Sequence, residues 1–225
     1  MRYPTDAGIA EMKSRGHDPE TVRQAVQMKE LGEEASEVIQ IIEAAFGDVK
    51  LGNGTGLWEA QGLDDYADAS TCARYREQDE KDDWRRISPE MLLRCHSSLS
   101  FFNAEGMRFH LPAFLIADLR GDLGIGMDFC LTHHALADHP TFSLLSPEQR
   151  LGIRMYLLHI MHHPDYQFSK PDIQCALDQY WVWPQELRSN SGEASNAAAD
   201  AVTPQGQITS HHPSSGLGGL FGGRK

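Results

Sequence analysis

The side chains in this sequence best suited to chemistry are its histidines, eleven in 225 residues. His159, His162 and His163 stand at helical spacings of three and four, which can bring two imidazoles to one metal ion. The glutamate of an H-E-x-x-H site is missing, and His163 precedes Pro164, where helices end. These three are therefore read as solvated residues at a helix end, favoured there by the dipole, and neither a metal nor another cofactor is expected. His133, His134, Asp138 and His139 gather before Pro140 and read as a polar loop. His96 and His110 lie in apolar stretches, Arg94-Cys95-His96-Ser97-Ser98 and Arg108-Phe109-His110-Leu111-Pro112. Histidines so placed commonly bond to backbone inside a core.

Other chemistry finds little support. There is no G-x-S-x-G nucleophile elbow and no G-x-x-x-x-G-K-[ST] phosphate loop, and Gly121 to Gly126 read as a turn. Asp64-Asp65 and Asp82-Asp83 are adjacent pairs, which point apart on a helix and serve solvation. What remains is a contact set. Trp58, Tyr66, Trp84, Arg85 and Arg108, with His96 and His110, are the candidate binding residues, because aromatics and arginine dominate contact hot spots. Their competing role is core packing, with the arginines paired to nearby acids.

The elements that must position these residues are helical. Asp18-Pro19-Glu20-Thr21 caps a lead helix that continues, with a possible break at Gly32, through Val38, Ile42 and Phe46 to a stop at Gly47. The mixed charges from Asp68 to Asp83 predict a solvated helix closed by Trp84. Ser88-Pro89 and Asn103 open further helices. The second of these runs from Met107 to Leu119 and is apolar almost all round, so it is the predicted central helix, kinked or divided at Pro112. Residues 127–132 fit a short helix or an extended piece. Ser146-Pro147-Glu148-Gln149 is a capping box for a helix ending near His163, and a last helix leads to Trp181-Val182-Trp183. The expected architecture is an all-α, compact multi-helix single domain. Its parts are an N-terminal helical lead over 1–36, a helical domain over 37–184 and a disordered low-complexity tail over 185–225, which ends in a Gly-rich stretch with Leu217, Leu220 and Phe221.

Composition narrows the partners. Net charge is −12, and residues 188–225 contribute about +1, so the body repels phosphate and nucleic acid is not expected. No apolar run approaches the roughly 20 residues of a membrane helix. The N-terminus lacks a secretory h-region, and Cys72, Cys95, Cys130 and Cys175 form no C-x-x-C pair. They read as reduced core residues of a cytoplasmic protein.

Several motifs in order resemble a bacterial family that carries only a domain-of-unknown-function label. They are Gly56-Leu57-Trp58-Glu59-Ala60, Asp64-Asp65-Tyr66, Asp83-Trp84-Arg85-Arg86-Ile87, Ser98-Leu99-Ser100-Phe101-Phe102 and Met107-Arg108-Phe109-His110-Leu111-Pro112-Ala113-Phe114-Leu115. Leu144 to Gln149 and Ala176 to Trp181 follow where the family pattern has them. The resemblance spans roughly residues 38–181 and implies a compact helical unit, with no activity, cofactor or catalytic residue to carry over. The sequence thus favours a binding module that meets another protein without catalysis. A small histidine-dependent or metal-dependent hydrolase is the alternative, and a toxin-neutralising immunity protein a further one.

Overall fold

Local capping signals set most helix starts. The structure, a computed structural model, describes residues 3–136 and 140–182, all within one compact unit. Helix α1 (Asp6–Ser14), capped by Thr5, precedes the helix that the sequence places at the start of the lead segment. In α2 (Pro19–Phe46), Asp18 accepts from the Thr21 amide at 2.9 Å and proline occupies the first turn. At about 1.5 Å per residue, its 28 residues make one rod of about 42 Å. The break expected at Gly32 is absent, because Tyr3 packs on that glycine so closely that a Cβ there would lie 2.6 Å from it. The helix also runs through residues 36 and 37 without interruption.

Helices α3 (Leu57–Asp64) and α4 (Ala69–Gln78) pair with each other. The solvated helix predicted to reach Asp83 stops at Gln78, because the next residue, Asp79, turns inward. Gly56 at the start of α3 has no side chain to cap with. Asp79 supplies the acceptor, taking the amides of Trp58 and Glu59 at 2.7 and 3.3 Å, and a Cβ on Gly56 would collide with it. A 3-10 turn (Trp84–Arg86) and the short α5 (Pro89–Arg94) lead into α6 (Ala104–Leu119).

Asn103 caps α6 through the Gly106 amide at 2.8 Å. The helix is buried on nearly every side and continues through Pro112, so it is not divided there. Residues 127–132, which fit either a short helix or an extended piece, fall largely in α7 (Asp128–Leu136), and the helix also takes in positions 133 and 134, where a polar loop was expected. The Ser146–Gln149 capping box opens α8 (Pro147–His162), and α9 (Lys170–Gln179) follows. Helices α2 and α8 pack together, α2 also meets α6, and α9 packs on α7 and α8. Trp181, 1% exposed, seals the far end by donating its indole N–H to the Leu131 carbonyl at 2.9 Å. The described residues are therefore all-α around a central buried helix, without strands. None of their helices is long and apolar enough to cross a membrane. Trp183 and the tail expected over 185–225 lie outside the described residues.

Candidate functional site

The seven residues proposed from sequence do not meet in one cleft. His110 is fully buried, stacked on Phe102 at 4.4 Å, with Nδ1 2.7 Å from the Gly106 carbonyl. Burial lowers its pKa to about 4, so it is neutral and structural. His96 is exposed, despite its apolar neighbours, with Nδ1 3.2 Å from the Leu93 carbonyl. Tyr66 is 96% exposed in a turn with φ +56° and lines no groove. Half-buried Trp58 lies under Arg94, and Arg108 is half-buried. Trp84 and Arg85 do adjoin: the guanidinium lies 4.6 Å over the indole, whose N–H donates to the Phe46 carbonyl at 2.9 Å.

A different set converges. Asp118, near the end of α6, is 2% exposed. Its Oδ2 accepts the hydroxyls of Tyr156 and Tyr166 at 2.6 and 2.7 Å. Burial and the Asp118 charge push both phenols well above their ordinary range, so they stay protonated donors. Oδ1 takes no hydrogen bond from the described residues. It belongs to a residue that lines a hollow of about 250 Å³, together with Gly124, Ile125, Gly126, Asp128, Asp165, Tyr166 and Ser169. Among the described residues, three carboxylates and no cationic side chain form these walls. Gly126, at φ +67°, belongs here for a steric reason: a Cβ would lie 2.8 Å from the Asp128 carboxylate.

Beside this group lies the C-terminal end of α8. Tyr156, His159 and His163 are spaced three and four apart and so share a helix face. His159 and His163 are 4% and 2% exposed, which corrects the expectation of solvated helix-end histidines; only His162 is exposed. Tyr3 brings its hydroxyl within 2.9 Å of His159 Nε2. His163 caps the following turn, its Nδ1 accepting from the Asp165 amide at 3.2 Å and thereby fixing the neutral tautomer with the proton on Nε2. Burial lowers both pKa values, that of His159 to about 4. Neither imidazole lines the hollow.

Among the described residues, no three His, Cys, Asp or Glu side chains are grouped to hold a metal ion. The side chain of His134, with Asp138 and His139, lies outside the described residues. All four cysteines are free; Cys72, Cys95 and Cys130 are buried and Cys175 half-buried. Burial pushes the Cys95 and Cys130 thiols up to about 11 and about 12, which leaves them unreactive.

Sequence reading passed over Asp118 because it stands inside an apolar helix and its phenol partners lie 38 and 48 positions later. The available signal was the lone carboxylate itself in that apolar run, set against the face of Tyr156, His159 and His163. A family model described only as a family of unknown function matches residues 34–183. No curated protein and no solved structure matches the chain. Every residue lining the hollow falls inside the matched segment; Tyr3 falls outside it.

Proposed function

Since the chain belongs to DUF6714, that family of unknown function, we propose that it is a protein-binding module whose acidic hollow receives the cationic head of an arginine or lysine side chain from a partner. The carrying observation is Asp118, a buried carboxylate whose second oxygen takes no hydrogen bond from the described residues and which lines a hollow together with two further carboxylates. A charge in that position is expensive to bury and is compensated only in part by two phenols. A cation would complete it. The carboxylates share a hollow without forming a metal-sized cluster, which favours an extended group able to reach more than one of them. The size agrees: about 250 Å³ is below the roughly 300–1,000 Å³ usual for small-molecule sites and suits the end of one side chain.

His159 and His163 do not line this hollow; His159 borders a separate cavity with Glu34, Glu37 and His162, and the acidic hollow carries the present reading without it. Cytoplasmic residence is part of the same proposal, supported by four free cysteines. Calorimetric titration of the full chain with N-acetylargininamide and N-acetyllysinamide tests the reading. Saturable binding is expected, absent for N-acetylglutaminamide and weakened about 10-fold or more by Asp118→Asn. Equal binding of the neutral analogue, or no binding of either cation, would refute it.

A further inference from the structure

The opposite charge pattern occurs on another face of α6. A cleft of about 350 Å³ runs between the Trp84–Arg86 turn, the start of α5 and the outer side of α6. Its floor is apolar and low, with Ala113, Ile116 and Ala117 from α6 and Leu92 from α5. Ala113 and Ala117 are one helical turn apart, so their small side chains let an incoming segment approach the helix closely. Three arginines, Arg85, Arg86 and Arg120, stand around this floor, with Glu43 and Asp122 as the acids of the lining.

The three arginines are not equivalent. Arg85 is fixed, stacked on Trp84 and donating to the Gly47 carbonyl at 3.3 Å and to Asp83 at 3.1 Å. Arg120 and Arg86 make only long ion pairs, with half-buried Glu43 at 3.6 Å and with half-buried Glu80, already bonded to backbone amides, at 3.8 Å. Their side chains are 56% and 67% exposed, and pairs of this kind contribute little and re-form easily with a better-placed acid. In a chain of net charge −12, gathering these cations at one apolar-floored cleft works against the general field. Charge complementarity then selects the occupant.

We infer that this cleft docks a short acidic segment of a partner protein, with apolar side chains on the α6 floor and carboxylates on Arg86 and Arg120. Different residues carry this site and the Asp118 hollow, so either can fail alone. The test is fluorescence anisotropy with the full-length protein and a fluorescein-labelled dodecapeptide made of three Glu-Leu-Ala-Glu repeats. Saturable binding is expected. It should fall about 10-fold or more in the double variant Arg86→Ala, Arg120→Ala, and in Ala113→Leu, which raises the floor while keeping the arginines. Arg23→Ala, which removes an exposed arginine on α2, controls for net charge and should leave binding within twofold. A peptide with lysine in place of glutamate should not displace the labelled acidic peptide from this cleft. Three results would each overturn the inference: no binding of the acidic peptide, equal loss in the Arg23 control, or complete displacement by low-millimolar sulfate, which would mark a simple anion site.

Discussion

Asp79 and Asp118 are both buried carboxylates, and the fold treats them in opposite ways. Asp79 receives an amide on each oxygen and closes the first turn of α3. Asp118 receives two phenols on one oxygen and no hydrogen bond from the described residues on the other, and it lines a hollow. Local structure requires the first, because the start of α3 otherwise has orphan donors and Gly56 cannot supply an acceptor. Nothing in the backbone of α6 requires the second; an apolar residue at 118 would match its neighbours. A buried carboxylate that serves no local backbone need and lines a hollow is the mark of a site that meets something else.

The largest expected effect separates the two by binding. Asp118→Asn should reduce affinity for N-acetylargininamide about 10-fold or more, and Asp79→Asn should leave it within twofold, both read by calorimetry. Equal losses would erase the comparison. The next effect separates them by stability. Asp79→Ala orphans two amides and should lower unfolding free energy by about 2 kcal/mol in urea titrations. The triple replacement Asp118→Leu, Tyr156→Phe, Tyr166→Phe removes charge and donors together, and it should be neutral or stabilising. A loss above about 2 kcal/mol in that variant would make Asp118 a structural residue like Asp79.

Acid sensitivity sharpens the picture further. His110 and His159 titrate near 4 when folded, against about 6.5 unfolded. The unfolded chain therefore binds more protons between these values, and stability that is full above about 6.5 is lost as pH falls toward 4. His110, fully enclosed, contributes on the order of 3 kcal/mol to that loss at full titration, and the less enclosed His159 contributes less. His110→Leu, measured by urea midpoints at pH 7 and pH 5, should flatten the slope without touching cation binding. The smallest effect is at Tyr66. It is almost fully exposed, so Tyr66→Ala should change stability by less than about 0.5 kcal/mol and binding not at all.

Helix starts were legible because their signals are local: Asp18-Pro19, Ser88-Pro89, Asn103 and the Ser146–Gln149 box each act within one turn. The all-α class followed from the apolar spacing between them. Features set by distant chain were not legible. Gly32 looks like a breaker until Tyr3 fills its notch, and Asp79 looks solvated until the end of α4 turns it toward α3. The end of α8 looks like a polar terminus until Tyr3 covers His159. The hollow was not legible either, since Asp118 on α6, Asp128 at the start of α7 and Asp165 in the turn after α8 are joined only by tertiary packing. Of the residues proposed from sequence, Trp84 and Arg85 share a cleft, while Trp58, Tyr66, His96, Arg108 and His110 lie elsewhere.

Carboxyl carbon chemical shifts, followed by NMR during titration with N-acetylargininamide, test the central claim most directly. The account predicts that the Asp118 side-chain resonance moves saturably, with smaller shifts at Asp128 and Asp165, while Asp79 stays fixed. A stationary Asp118, or an Asp79 that moves equally, would contradict it.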